Sequence, residues 1–314
     1  MSGLYLRLSV TGRCDLRCVY CRPGPVPRLA DALDGPGLVR AARLLAAAGV
    51  TKARLTGGEP LLRPDLPDVA AALGRIPGVT WSLTTNGQRL AGMAGMLARA
   101  GFSRVNVSVD SLDPEVFRRI TGGGDLARTL AGCREAERAG LVPVKWNVVV
   151  LRGINDGEAE RFAAETLDRA IEVRFIECMP SPGGLADPEE RYVPAAEVRA
   201  RIERRFALTP LPRGRGATAE LFAIPGARGR IGFIAPHSAP FCAECNRLRL
   251  GSDGVLRPCL CRTDGLDLAA LFAAGATDAG VSAEISGALA RWPRGLRPDP
   301  ARAAPAAPMH LLGG

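Results

Sequence analysis

Histidine is scarce in this chain. Only two of the 314 residues are histidines, His237 and His310, and they stand far apart in the sequence. Structural zinc sites commonly combine cysteine with histidine at short spacing. The chain therefore offers few candidates for a zinc site of that kind, although it contains nine cysteines.

Long apolar runs are also missing. No stretch approaches the ~18 consecutive apolar residues of a membrane-spanning helix, and the first residues lack the charged and apolar regions of a secretory signal. An odd number of cysteines without an export signal favours reduced thiols and metal binding over a disulfide framework. We therefore expect a soluble, cytoplasmic protein with no membrane partner.

Aromatic residues make up only 5% of the chain, so few side chains are available to stack on the bases of single-stranded nucleic acid. The formal net charge of +9 favours an anionic partner. Together these two properties predict a phosphorylated small molecule, and no nucleic acid, as the ligand.

Apolar, β-branched runs alternate with Ala-, Leu- and Arg-rich stretches of helical period. Strands are predicted at residues 4–10, 52–56, 79–84, 104–109, 144–150 and 172–176. Helices are predicted near residues 37–48, 65–73, 89–100, 126–139 and 158–170. Six successive β/α units predict an α/β fold whose parallel sheet curls into an incomplete, TIM-like barrel.

Three cysteines follow the first predicted strand: Cys14, Cys18 and Cys21, with the spacing C-x3-C-x2-C. A tetrahedral zinc ion or a cubane iron–sulfur cluster normally takes four protein ligands. A loop with three thiolates therefore indicates a metal centre with one coordination position open for chemistry. The alternatives are a zinc site completed by a distant residue, or a disulfide pair with one cysteine left over.

A second group of three cysteines lies near the C-terminus: Cys242, Cys245 and Cys259. Arg247 and Arg249 occupy positions i and i+2 of a strand, so they face one side, and their planar guanidiniums suit phosphate oxygens. In the functional interpretation, the three cysteines hold a second 4Fe–4S cluster with one open iron. An open iron beside these arginines predicts a nucleotide triphosphate site. In the alternative reading, Cys261 completes a four-thiolate structural zinc site.

The first cysteine spacing resembles the signature of radical S-adenosylmethionine enzymes. The ordered set of motifs along the chain resembles the GTP 3′,8-cyclase family of molybdenum cofactor biosynthesis. These motifs lie at residues 6–11, 54–61, 84–87, 107–113, 145–147, 174–177, 231–234 and 313–314. The resemblance implies an incomplete (β/α)6 barrel over residues 1–225 and a C-terminal iron–sulfur extension over residues 226–314 that closes the barrel opening.

The resemblance also implies two 4Fe–4S clusters, S-adenosylmethionine as cofactor and GTP as substrate. The implied ligands are Cys14, Cys18 and Cys21 for the first cluster, and Cys242, Cys245 and Cys259 for the second. The implied contacts to S-adenosylmethionine are Tyr20, Gly58, Ser108 and Met179, with the carboxylate of Glu59 on its amino group. The implied contacts to GTP are Arg7, Arg54, Thr84, Lys145, Arg247 and Arg249. Catalytic roles are implied for Arg174, Gly313 and Gly314.

In the implied reaction, a low-potential cluster cleaves S-adenosylmethionine and the resulting 5′-deoxyadenosyl radical takes the hydrogen from ribose C3′ of GTP. The C3′ radical then attacks guanine C8, and uptake of one electron and one proton yields the 3′,8-cyclised nucleotide. The implied partners are a downstream cyclic pyranopterin monophosphate synthase and an electron donor such as a flavodoxin or ferredoxin. A homodimer is also compatible with the resemblance.

Some positions depart from the family pattern. Residues 22–24 read Arg-Pro-Gly where Met-Pro is usual, Cys178 replaces an aromatic or aliphatic residue, and Cys261 replaces a phenylalanine. Cys133 lies on a predicted helix and is expected to be a buried apolar residue. Two other classes remain open at this point: a peptide-modifying radical enzyme with an auxiliary cluster, and a zinc-binding module without enzymatic activity.

Overall fold

The computed structural model describes residues 3–21, 31–182, 184–214, 216–292 and 308–313. The Arg-Pro-Gly segment at 22–24, most of the Ala- and Pro-rich stretch before the tail, and Gly314 lie outside these residues. None of the helices in the described ranges is both long and apolar enough to cross a lipid bilayer.

Six parallel strands form the centre of the sheet, and strands adjacent in sequence are adjacent in space. They are β1 (Leu4–Ser9), β2 (Val50–Thr56), β3 (Thr80–Thr85), β4 (Phe102–Ser108), β5 (Lys145–Val150) and β6 (Glu172–Glu177). The helices between them are α1 (Gly35–Ala47), α2 (Leu66–Gly74), α3 (Leu90–Arg99), α4 (Pro114–Thr121), α5 (Leu126–Arg138) and α6 (Ala159–Asp168). The six predicted strands are confirmed, each to within two residues at either end.

Helix α4 is absent from the sequence prediction. It is only eight residues long, which is too short for apolar residues of helical period to recur along it. Asp113 caps it by accepting hydrogen bonds from the amides of Glu115 and Val116 at 2.9 and 3.0 Å. This local capping starts the helix without a long apolar stripe.

The remainder of the chain extends the sheet at both edges. Its strands are β7 (Thr209–Pro210), β8 (Glu220–Ala223), β9 (Arg230–Ile234), β10 (Arg247–Leu250), β11 (Val255–Arg257) and β12 (Leu266–Asp267). Its helices are α7 (Ala195–Glu203), α8 (Leu268–Ala273), α9 (Asp278–Arg291) and α10 (Met309–Leu312). Strand β9 pairs in parallel with β6, and β10 pairs in parallel with β1. The C-terminal part therefore flanks the incomplete barrel on both sides.

The two faces of the sheet differ in chemistry. On the outer face, Trp146 and Phe175 pack edge-on against Phe162 of α6, with ring centroids 6.4 and 6.1 Å apart. On the inner face, register places Arg7 between Arg249 and Arg54, and Arg54 beside Ser82. Because side chains alternate along a strand, the apolar residues pack under the helices and polar residues fill the barrel interior.

Candidate active site

A cavity of about 550 Å³ lies inside the barrel. Among the described residues, its lining contains eight Lys and Arg side chains but only two carboxylates, Asp110 and Glu177. The cationic residues are Arg7, Lys52, Arg54, Arg104, Lys145, Arg174, Arg247 and Arg249. Such an excess of positive charge inside a protein is matched by a polyanionic ligand.

The first cysteine loop leaves the carboxyl end of β1, and Cys14, Cys18 and Cys21 all line the cavity. The loop is fixed to the end of α4, because the amides of Arg17 and Val19 each donate to a carbonyl of that helix at 2.9 Å. Burial raises the pKa of the Cys14 thiol to about 12. A thiolate at this position therefore needs a positively charged centre beside it, such as the irons of a cluster.

The Gly57-Gly58-Glu59 turn after β2 packs directly on the cysteine loop. The amide of Gly58 donates to the carbonyl of Thr11 at 2.8 Å, and that of Glu59 donates to the carbonyl of Arg13 at 2.7 Å. A Cβ atom on Gly58 would overlap the Arg13 carbonyl oxygen. Glycine is therefore required by the close approach of the two segments, and both glycines of the turn line the cavity.

The Glu59 carboxylate points into the protein. One oxygen accepts from the Thr85 hydroxyl at 2.7 Å and the Leu61 amide at 3.0 Å, and the other accepts from the Asn86 amide at 2.7 Å. The side chain is fully buried and does not line the cavity. In the structure this carboxylate joins the turn after β2 to the segment after β3, beneath the predicted cofactor site.

Glu59 should make folding stability depend on pH. Burial raises the pKa of its carboxyl from 4.5 to about 7, so between these values the folded protein keeps a proton that the unfolded chain releases. The free energy of unfolding therefore falls as pH rises through this window, and above it the loss is complete and no longer changes with pH. Across the window, we expect the stability difference between the parent and Glu59→Gln to change by on the order of 3 kcal/mol.

Urea unfolding of both proteins at several pH values checks this expectation. Asp110, whose pKa burial raises to about 6, titrates in both proteins and cancels in the comparison. Parallel stability profiles for the parent and Glu59→Gln would contradict the prediction.

Tyr20, Ser108 and Met179 line the cavity together, as predicted for contacts to S-adenosylmethionine. The Tyr20 hydroxyl donates to Asp110 at 2.6 Å, and the other oxygen of Asp110 accepts from the Val149 amide at 2.9 Å. Asp110 was missed as a site residue. The signal was available, because it lies two positions after Ser108 at the end of β4.

The predicted GTP contacts also converge on the cavity: Arg7, Arg54, Thr84, Lys145, Arg247 and Arg249. Burial, followed by the charge of Arg249, lowers the pKa of Arg7 well below its ordinary value. Burial and the nearby Arg247 lower the pKa of Arg249 to about 10. Guanidiniums held this close to one another, away from water, require anionic ligands to offset their repulsion.

Several buried polar atoms in this group have no hydrogen-bond partner among the described residues. They include Nε of Arg7, Nε and Nη2 of Arg247, and Oγ1 of Thr84. Buried donors are normally satisfied, so unsatisfied ones at a cavity indicate a missing ligand rich in acceptors. The residues therefore fit a triphosphate.

Lys145 and Arg174 share a carboxylate that the sequence analysis did not identify. Lys145 Nζ lies 2.9 Å from one oxygen of Glu172, and Arg174 Nε pairs with the other. Burial and the charge of Arg174 lower the pKa of Lys145 to about 8. Although burial alone would raise the pKa of Glu172, the two cations lower it.

The C-terminal tail enters the same cavity. The Gly313 carbonyl accepts from Nη1 of Arg249 at 3.0 Å and from Nη1 of Arg7 at 3.3 Å. Gly313 has φ of +71°, and a Cβ there would overlap the Thr56 side chain. The described contacts thus join the tail to Arg7 and Arg249, while Arg174 contacts Glu172.

The second cysteine group lies just behind the cavity wall. The wall is made by Phe241, Leu260 and the two β10 arginines, whereas Cys242, Cys245 and Cys259 do not line it. The Cys261 amide donates to the Cys259 sulfur at 3.4 Å. A hydrogen bond from the Cys261 thiol lowers the pKa of Cys259.

The remaining cysteines are buried. Cys133 lies in the apolar core, as expected, and Cys178 packs against Ile120 and Leu151. In the described ranges, no three Cys, His, Asp or Glu side chains converge closely enough to hold a single metal ion.

Two family models match the chain. Residues 8–165 match the radical SAM superfamily, and residues 171–297 match Molybdenum Cofactor Synthesis C. Among curated relatives, the GTP 3′,8-cyclase of Moorella thermoacetica is 42% identical over 92% of this chain and 91% of its own length. The GTP 3′,8-cyclase of Thermodesulfovibrio yellowstonii is 40% identical over 99% of this chain and 97% of its own.

Solved structures agree at the level of the fold. SuiB of Streptococcus suis bound to S-adenosylmethionine superposes with a TM-score of 0.64 and covers 90% of this chain and 68% of that one. Its sequence identity is 15%, so the likeness concerns the fold alone.

Proposed function

The chain belongs to the GTP 3′,8-cyclase family of radical S-adenosylmethionine enzymes, and from that premise we propose how its residues divide the reaction. It cyclises GTP in molybdenum cofactor biosynthesis. Family membership decides against the peptide-modifying enzyme and the zinc-binding module. When bound, two 4Fe–4S clusters and S-adenosylmethionine supply the one-electron chemistry that removes a hydrogen from ribose C3′.

The observation that carries the proposal is the group of buried arginines with unsatisfied N–H groups. Arg7, Arg54, Arg247 and Arg249 bind the triphosphate in our proposal, with Thr84 and Lys145 completing the site. Arg7, Arg54 and Arg249 lie on three adjacent strands, so their guanidiniums are side by side at fixed spacing. This preorganisation supports charge-assisted, bidentate binding of phosphate oxygens.

We assign the first cluster to Cys14, Cys18 and Cys21, and S-adenosylmethionine to Tyr20, Gly58, Ser108 and Met179. Support comes from their convergence at the carboxyl ends of the strands, where barrel enzymes hold their reacting groups. The hydrogen bond from Tyr20 to Asp110 holds the loop beside the third cysteine in place.

We assign the second cluster to Cys242, Cys245 and Cys259, in a C-terminal unit that begins near residue 226. Arg247 and Arg249 follow the first two of these cysteines directly, so a cluster held there would lie near the guanidiniums that bind the triphosphate in our proposal. The charge of Cys259 opposes the lowering of the pKa of Arg249, which supports the proximity of this cysteine to the guanidinium. The ribose would then lie between this end of the cavity and the S-adenosylmethionine end.

We also propose catalytic roles for Arg174, Gly313 and Gly314. Arg7 and Arg249, which belong to the proposed phosphate site, also donate hydrogen bonds to the Gly313 carbonyl. The tail therefore contacts the donors that hold GTP, and its glycines leave room for the nucleotide. Glu172 fixes Arg174 and Lys145 as a pair facing the same space.

The product is a substrate for a second enzyme, for which we propose a cyclic pyranopterin monophosphate synthase. A flavodoxin or ferredoxin would supply electrons in the cytoplasm, and a homodimer is the proposed assembly.

Anaerobic protein with reconstituted clusters, incubated with GTP, S-adenosylmethionine and dithionite, should yield the 3′,8-cyclised nucleotide. A product from a peptide and none from GTP would contradict the proposed function.

Replacing Arg247 or Arg249 with alanine should weaken GTP binding by on the order of 1.5–3 kcal/mol, the range for a hydrogen bond to a charged group. Iron content should not change, because neither side chain is a proposed cluster ligand. Calorimetric titration of the reconstituted enzyme with GTP and with guanosine measures the effect.

Arg128→Ala is the matched control, since it removes the same charge from an exposed position on α5. Its affinity for GTP should equal that of the parent. Equal affinity of the parent for GTP and guanosine would rule out a triphosphate role for Arg247 and Arg249.

A further inference from the structure

Glu177 is the last residue of β6, and its carboxylate is an unusually complete hydrogen-bond acceptor. One oxygen accepts from the amides of His237 and Ser238, both at 3.0 Å. The other accepts from the Ala195 amide at 2.9 Å, the Tyr192 hydroxyl at 3.1 Å and the Ser238 hydroxyl. Glu177 is only 2% exposed. Five donors on one buried carboxylate hold three chain segments at a single point.

The position of this carboxylate links the two ends of the reaction site. Glu177 lines the cavity, and Met179, a proposed contact of S-adenosylmethionine, lies two residues later on the same segment. His237 and Ser238 lie between β9 and Cys242, the first proposed ligand of the second cluster. A short stretch of chain therefore separates Glu177 from each proposed site.

The donors require a carboxylate in particular. Among the described residues, no Lys or Arg side chain forms an ion pair with Glu177, so N–H and O–H groups alone offset its charge. Glutamine has nearly the same shape, but its NH2 group would face either two backbone amides or three other donors. The Glu177→Gln change therefore breaks the contact on one side while leaving the packing volume unchanged.

We propose that Glu177 is a positioning residue that fixes the loop of the C-terminal cluster relative to the S-adenosylmethionine end of the cavity. The inference rests on the proposed assignment of Cys242, Cys245 and Cys259 to that cluster. This positioning function is separate from the cluster binding proposed for the cysteines and from the phosphate binding proposed for the arginines. The reacting carbon of GTP reaches the correct place only if the two ends keep a constant separation, and a misplacement of about 1 Å costs on the order of 100-fold in rate.

The test compares Glu177→Gln and Ser238→Ala with Tyr192→Phe in the reconstituted holoenzyme. Ser238 belongs to the segment that leads to the cluster, whereas Tyr192 donates to the same carboxylate from the segment before α7. The first readout is the ratio of 5′-deoxyadenosine to cyclised nucleotide. The second is the GTP-induced change in the paramagnetic spectrum of the C-terminal cluster, recorded in protein that also carries Cys14→Ala, Cys18→Ala and Cys21→Ala.

We expect Glu177→Gln to keep its iron and to lose the GTP-induced spectral change. Its yield of cyclised nucleotide should fall by on the order of 100-fold while 5′-deoxyadenosine continues to form. Ser238→Ala should show the same uncoupling to a smaller extent. Tyr192→Phe should resemble the parent in both readouts, and Glu177→Asp, which keeps the charge, should restore part of the coupling.

Glu158→Gln controls for the loss of a buried carboxylate. Glu158 accepts from the Ser111 hydroxyl at 2.5 Å and the Leu112 amide at 2.8 Å, and it does not line the cavity. Parent-like ratios and spectra in Glu177→Gln and Ser238→Ala would overturn the inference. Equal loss of iron and yield in Glu177→Gln, Tyr192→Phe and Glu158→Gln would also overturn it, in favour of general stability. If the unaltered C-terminal cluster does not respond to GTP, the proposed function itself fails.

Discussion

Replacing Cys14, Cys18 and Cys21 with alanine is expected to reduce 5′-deoxyadenosine formation to background. These cysteines line the cavity together with Tyr20 and Gly58, so a cluster bound to this triad would lie beside the proposed S-adenosylmethionine contacts. Iron content should fall by about half, because the C-terminal cluster has its own ligands. Anaerobic assays of dithionite-reduced protein, together with iron analysis, measure both effects.

Two variants make the comparison specific. Cys133→Ala removes a buried thiol from the apolar core and should leave iron content and cofactor cleavage unchanged. Combined replacement of Cys242, Cys245 and Cys259 should remove the other half of the iron and abolish cyclisation. Formation of 5′-deoxyadenosine at the parental rate by the Cys14, Cys18 and Cys21 variant would reverse the assignment of the two clusters.

Truncation after Leu312 is expected to reduce the yield of cyclised nucleotide by on the order of 100-fold or more. The truncation removes the Gly313 carbonyl that Arg7 and Arg249 hold, but it removes no cation from the cavity. Both clusters and GTP binding should therefore be retained. Iron analysis, GTP titration and product assays on the same sample separate these effects.

Gly313→Ala should act in the same direction as the truncation. The residue has φ of +71°, and its added Cβ would overlap Thr56, so the backbone must shift. Gly92→Ala is the matched control, because nothing lies within 4 Å of a Cβ added at that position. A normal yield of cyclised nucleotide from the truncated chain would mean that Gly313 and Gly314 have no role in the reaction.

Sequence patterns predicted the parallel strands well because each strand is buried beneath helices and carries a continuous apolar or alternating signal. The position of the first cysteine loop followed from its place after β1. Likewise, the spacing of Arg247 and Arg249 predicted that both face one side, and both line the cavity. These features depend on short-range periodicity, which a sequence displays directly.

Other features depend on contacts between distant segments. The sequence places Glu59 beside the cofactor, but it does not show that the carboxylate turns inward to Thr85 and Asn86. The pairing of Gly313 with Arg7 spans 306 residues. Both features follow from tertiary structure rather than from local pattern. Helix α4 was missed for a different reason, because its eight residues are too few to show a repeated apolar period.

The row of guanidiniums across β10, β1 and β2 also affects how the chain survives in the cell. Like charges brought together away from water oppose folding. This group of guanidiniums therefore lowers the free energy of unfolding of the ligand-free protein. A nucleotide that binds only the folded form returns stability in proportion to the logarithm of its concentration. We therefore expect the supply of GTP to affect the lifetime of the polypeptide as well as its turnover, because protein without nucleotide should unfold and be degraded more readily.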